Sequence, residues 1–116
     1  MFSFFSGIFG QGDSSDRITA EELLSLVDGK AKITIIDVRT PAEFRGGHIP
    51  GSVSIPLNTL DGAKVAAKGR IVVCCASGMR SVGGRELLAS KDFKDVVDLK
   101  GGLKAWANSG GRIVKG

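Results

Sequence analysis

The chain lacks any pair of cysteines that a disulfide would join without strain. Its two cysteines, Cys74 and Cys75, are adjacent. Neighbouring strand residues point to opposite faces, so a bond between them would be distorted. Both read as free thiols, which fits a reducing compartment and a cytoplasmic protein. Histidine is nearly absent: His48 stands alone, so histidine-based acid–base chemistry has one candidate. There is no run of one charge. The net charge is +4, with lysines and arginines scattered singly. A nucleic-acid binder would show a clustered basic stripe with interleaved aromatics. No apolar stretch approaches the roughly 20 residues that span a bilayer. Internal repeats and long low-complexity tracts are also missing. A chain of 116 residues is expected to form one domain, long enough for a core without disulfide staples.

The first twelve residues hold four of the six phenylalanines: Phe2, Phe4, Phe5 and Phe9. They have no basic n-region, Ser6 and Gly7 break the apolar stretch, and no small-residue cleavage site follows. This argues against a secretory signal. Three readings stay open: a segment packed on the domain, a mobile tail, or an anchor or partner-binding element. Interfacial helices carry Lys or Arg on a polar face. Residues 1–12 have neither, so membrane contact through them is disfavoured. The expected division is an N-terminal segment and linker over 1–15, the domain over 16–113, and a tail over 114–116.

Thr19 followed by Glu22 is a capping box, with Ile18 and Leu23 placed as a hydrophobic staple. It predicts a helix running to about Val27, stopped by Asp28 and Gly29. Residues 32–38 are dense in β-branched side chains and read as a strand buried on both faces. Asp37 lies at its C-terminal end, where open α/β sheets place functional groups. Asp37 and Arg39 have two competing readings: substrate orientation, or an internal ion pair that fixes loops. The second is favoured, because such groups at loop junctions are commonly paired. Thr40, Pro41 and Glu43 form a second helix start. His48 sits in a turn-rich loop and reads as a ring tied to backbone groups rather than as a general base. Residues 52–57 read as a short strand, 58–67 as a helix, 71–74 as a strand and 81–90 as a helix. Gly83 and Gly84 weaken that last helix but permit close packing on the sheet. A final strand over 96–99 and a helix over 103–108 follow, with Trp106 as a core anchor. The whole reads as a single α/β domain with a mostly parallel central sheet and helices on both faces.

The stretch that organises the chain is residues 71–81. An apolar strand runs into a small polar loop and then a helix, placing a cysteine at a helix N-terminus. The first N–H groups there have no intrahelical partner, and the helix dipole adds partial positive charge. A thiolate at that point is stabilised, so its pKa should fall below the free value of about 8.5. Gly78 lets the loop turn and aim its N–H groups inward. Arg80 adds a permanent cation.

The run Cys75-Ala76-Ser77-Gly78-Met79-Arg80-Ser81 resembles the active-site loop of the rhodanese family. Ile36-Asp37-Val38-Arg39, Glu43-Phe44 and Gly47-His48-Ile49-Pro50-Gly51-Ser52 look like that family's upstream signature. Leu99-Lys100-Gly101-Gly102-Leu103-Lys104-Ala105-Trp106 looks like its C-terminal one. The resemblance covers residues 16–113. It implies a five-stranded sheet and a sulfurtransferase in which Cys75 carries a persulfide. The N–H groups of Ala76, Ser77, Gly78, Met79 and Arg80, with Ser81 at the helix start, would bind the donor. The Arg80 side chain would hold the donor or brace the loop. Asp37, Arg39, Glu43 and His48 would support the site. The chemistry needs no metal and no organic cofactor. The implied partners are a small anionic sulfur donor, such as thiosulfate or a persulfide, and a cyanide or thiol acceptor. A sulfur-accepting protein is a further candidate.

The spacing leaves an alternative. Counted from Cys74, five residues precede Arg80. That is the spacing of cysteine phosphatases, including rhodanese-fold ones, and of arsenate reductases on the same fold. Gly78 falls where the rhodanese loop has its glycine, and Val73 stands where many tyrosine phosphatases have histidine, so Cys75 is preferred. Cys74 then reads as a buried small hydrophobe, with a resolving thiol as its functional alternative. A non-catalytic sulfur carrier or binding module is the third reading.

Overall fold

A computed structural model describes residues 16–116. The chain order is β1 (Arg17–Ile18), α1 (Ala20–Asp28), β2 (Ile33–Asp37), α2 (Pro41–Gly46), β3 (Val53–Ser54), α3 (Leu57–Leu60), β4 (Arg70–Cys74), α4 (Arg80–Ser90), β5 (Val96–Leu99) and α5 (Gly102–Asn108). The strands form one five-stranded sheet in the order β1-β5-β4-β2-β3. All the strand pairings are parallel. The Phe-rich segment and its three readings lie outside the described residues. No described helix is long and apolar enough to cross a membrane.

Local chemistry explains the helix starts. The Thr19 hydroxyl accepts the Glu22 N–H, and the Glu22 carboxylate accepts the Thr19 N–H. Thr40 and Glu43 repeat the arrangement, with Pro41 at the first turn of α2. Each box satisfies two N–H groups that the helix itself leaves unpaired.

Two cores sandwich the sheet. Leu23 and Trp106, from α1 and α5, pack with Ile35, Val72, Cys74 and Val97 on one face. Leu60 and Leu88, from α3 and α4, pack with Ile36, Ile71, Val73 and Cys75 on the other. The central strand β4 therefore sends alternate residues into opposite cores, as its pleat requires. Its β-branched run is buried on both sides, and its C-terminal end delivers the cysteine loop. Trp106 is fully buried, its indole N–H donating to the Arg112 carbonyl at 2.8 Å. Gly84 accounts for the close approach of α4: an added Cβ would lie 3.0 Å from Val73 Cγ1. Gly83 has open space around it, so its packing role is not needed.

The structure corrects several boundaries. The helix expected over 58–67 ends at Leu60. Gly62 follows one residue beyond the Asp61 C-cap position, and Lys64, Ala66, Ala67 and Lys68 are exposed, so little apolar area would repay the ordering of further turns. The strand expected over 52–57 shrinks to Val53–Ser54, though Ile55 and Leu57 still donate to the Asp37 and Val38 carbonyls. The edge strand β1 is an addition to the expected elements. Val114 exchanges backbone hydrogen bonds with His48 at 2.8 and 2.9 Å, tying the C-terminal stretch to the loop after α2.

Candidate active site

The cysteine loop joins β4 to α4. Cys75 is 1% exposed, and its Sγ accepts the N–H of Gly78 at 3.1 Å and of Ser81 at 3.3 Å. Met79 precedes α4 without a side-chain cap. The sulfur takes that place, accepting an N–H group the helix start leaves free. Gly78 has φ +96°, and a Cβ there would come 2.9 Å from the Gly101 nitrogen, so both conformation and space call for glycine. The loop is anchored to α5: Leu103 and Lys104 donate to the Cys75 and Ala76 carbonyls at 2.8 and 3.1 Å.

Two opposing effects act on the Cys75 thiol. Burial pushes its pKa up. Hydrogen bonding from the Ser81 and Gly78 side of the loop favours the thiolate and outweighs burial, so Cys75 lies below the ordinary thiol value. Cys74 is the reverse case. It is fully buried in the other core. Burial, reinforced by the Asp37 carboxylate, pushes its thiol well up. A thiol held protonated is a poor nucleophile.

The remaining expected residues form a frame around this loop. Asp37 and Arg39 are both buried and paired side to side, with Arg39 Nη2 to Asp37 Oδ2 at 2.7 Å and Arg39 Nε at 2.9 and 3.0 Å from the two carboxylate oxygens. Arg39 Nη2 also donates to the Gly47 carbonyl at 2.7 Å, pinning the loop after α2. The guanidinium is held charged by its Asp37 hydrogen bonds, against the pull of burial. His48 places Nδ1 2.8 Å from the Phe44 carbonyl and stacks on the Phe44 ring at 3.7 Å. Arg80 Nη1 and Nη2 donate to the two oxygens of Glu43 at 2.8 and 3.0 Å. That pair, helped by the Thr40 N–H, takes the Glu43 carboxyl down to about 2. Met79 is 81% exposed at the loop's outer edge. An apolar groove of about 460 Å³ opens beside Ala76, between α2 and α5, with Ala42, Leu103, Ala107 and Ile113 among its walls.

Two residues at this site escaped the sequence reading. Asp98, 1% exposed in β5, pairs with Arg17 of β1 at 3.0 Å and lies 3.5 Å from the Ser81 hydroxyl. Arg17 Nη2 reaches the Gly78 carbonyl at 3.4 Å. The available signal was a lone carboxylate inside a four-residue apolar strand, which demands a buried partner.

A doubly covered parallel sheet with a cysteine loop at a helix N-terminus defines the class, and the family model of the Rhodanese-like domain matches residues 19–109. The chain belongs to the rhodanese-like family. It is 30% identical over 101 residues to a sulfurtransferase of Allochromatium vinosum, covering 85% of this chain and 94% of that one. It is 36% identical over 101 residues to the probable adenylyltransferase/sulfurtransferase MoeZ of Mycobacterium tuberculosis, covering 84% of this chain and 26% of that protein. The chain thus spans about a quarter of the length of MoeZ. Among solved structures, the rhodanese-like domain of the Anabaena sp. Alr3790 protein superposes with a TM-score of 0.78 at 32% identity, covering 86% of this chain and 79% of that one.

Proposed function

We propose that the protein is a sulfurtransferase that moves a sulfane sulfur from thiosulfate or a persulfide donor to a thiophilic acceptor through a persulfide on Cys75. The observation that carries this reading is the Cys75 sulfur held by the Gly78 and Ser81 N–H groups at the start of α4, with its pKa below the ordinary value. In the first step the Cys75 thiolate attacks the outer sulfur of the donor. The Sγ–S bond forms and the donor's S–S bond breaks; with thiosulfate, sulfite leaves with the bonding pair. In the second step cyanide or a thiolate attacks the outer sulfur of the persulfide. Cys75 departs as a thiolate, and thiocyanate or a new persulfide is released. No net proton transfer is needed in either step, so His48 is assigned to loop support.

The same N–H groups stabilise the anion in the thiolate and persulfide states. Both ends of the Arg80 guanidinium fork are occupied by Glu43, which favours a bracing role over direct donor binding. Asp37 and Arg39 hold the adjoining loop through Gly47. Cys74 faces the opposite core, so the phosphatase spacing places its nucleophile away from the loop donors. We place the reaction in the cytoplasm, where both thiols stay reduced. The acceptor is cyanide, a small thiol, or a sulfur-accepting protein.

Thiocyanate production from thiosulfate and cyanide tests the proposal. Wild type should turn over and Cys75→Ser should not, with both folded by circular dichroism. Persulfide formation without turnover would mark a carrier instead. Phosphate release from an aryl phosphate, lost in Cys74→Ser, would refute the assignment.

A further inference from the structure

We propose that the Arg17–Asp98 ion pair is a positioning device for the Cys75 sulfur, tuning its nucleophilicity through Ser81 and Gly78. The inference rests on the reading of Cys75 as the nucleophile. Two residues donate backbone N–H groups to Cys75 Sγ in the structure's hydrogen bonds: Gly78 and Ser81. The ion pair grips both. Arg17 Nη2 reaches the Gly78 carbonyl at 3.4 Å, and Asp98 Oδ2 lies 3.5 Å from Ser81 Oγ. Arg17 closes the circuit by donating to Asp98 Oδ2 from Nε at 3.2 Å and from Nη2 at 3.0 Å.

The Ser81 hydroxyl donates to Asp98 Oδ2, so the carboxylate holds from its side-chain end the residue whose backbone N–H binds the sulfur. Arg17 holds the Gly78 carbonyl in the same way and offsets the charge of the carboxylate. Without Arg17, the unpaired Asp98 carboxylate would repel the thiolate. Without Asp98, an unpaired cation would stand beside the loop and favour the thiolate. The other charged groups around the loop are Arg80 of α4 with Glu43 of α2, the Asp37–Arg39 pair at the end of β2, and Lys104 of α5. None of these is altered by changes at 17 or 98, so the device has its own sign.

The test is the rate of iodoacetamide alkylation of Cys75 as a function of pH, followed by peptide mass so that Cys74 does not contribute. Arg17→Met should raise the inflection by on the order of one pH unit. Asp98→Asn should lower it, and the double variant should return close to wild type. A pair that only braced the loop would raise the inflection in all three, because a looser loop loses its N–H donors. An inflection that rises or stays fixed in Asp98→Asn, or a double variant no lower than Arg17→Met, would overturn the proposal. If Arg17→Met fails to fold around a buried unpaired carboxylate, Asp98→Asn and the double variant still carry the sign test. The assay uses no sulfur donor, so its failure and that of the sulfurtransferase reading are separable. A wild type with a normal pattern of variants but no sulfur transfer would refute only the proposed function.

Discussion

Replacing Glu43 by glutamine should tighten binding of a dianionic donor. Arg80 presents both ends of its fork to Glu43, at 2.8 and 3.0 Å, so a donor approaching the loop meets a pair with no net charge. Glutamine keeps the shape and removes the negative charge, exposing one positive charge at the mouth. Two unit charges about 4 Å apart interact by about 1 kcal/mol in water-like surroundings. The Arg80 side chain is 40% exposed, so the water-like value is the appropriate one. A dianion would gain about twice that, about 2 kcal/mol, or a factor of roughly 30. Salt screening over about 8–10 Å reduces the effect, leaving roughly a tenfold fall in KM for thiosulfate at low ionic strength. The assay is steady-state sulfur transfer to cyanide at several salt concentrations. A monoanionic aryl thiosulfonate serves as a control and should show about half the free-energy change. The fall in KM should shrink as salt is added. An unchanged or higher KM for thiosulfate would refute the argument, and would mean that Glu43 holds Arg80 in a geometry the donor needs.

Further outcomes follow from the same contacts. Asp37→Asn leaves the Arg39 guanidinium buried without its carboxylate, and should cost about 3–5 kcal/mol in denaturant unfolding. Glu43 titrates at about 2 in the fold against an ordinary 4.5. Between those values the unfolded chain binds the extra proton, so stability should fall as pH drops from 4.5 through about 2. The slope of unfolding free energy against pH over that window should be shallower in Glu43→Gln; an identical slope would contradict the pairing. In native protein at pH 8, iodoacetamide should modify Cys75 and leave Cys74 unmodified, as mapped by peptide mass, because the Cys74 thiol is held protonated whereas the Cys75 thiol lies below the ordinary value.

What could be read from the sequence was what neighbouring residues decide among themselves. The Thr19–Glu22 and Thr40–Glu43 boxes are four-residue signals, and both form as written. The β-branched runs of β2 and β4 announce strands covered on both faces. The loop from Cys75 to Ser81 is equally local, since a strand ending in a small polar turn before a helix leaves few places for the sulfur to go. Distant partners were hidden. β1 has two residues and exists only through its pairing with β5. Asp98 and Arg17 meet across 81 positions, which no short-range pattern encodes. The helix expected over 58–67 failed for a similar reason. Its apolar spacing was acceptable, but past Leu60 most of the side chains meet solvent.

The most direct test of the central claim is intact-protein mass before and after thiosulfate, for wild type, Cys74→Ala and Cys75→Ala. The account predicts a gain of one sulfur atom in wild type and Cys74→Ala, reversed by cyanide, and none in Cys75→Ala. A gain that survives in Cys75→Ala and vanishes in Cys74→Ala, or no gain in any of them, would contradict it.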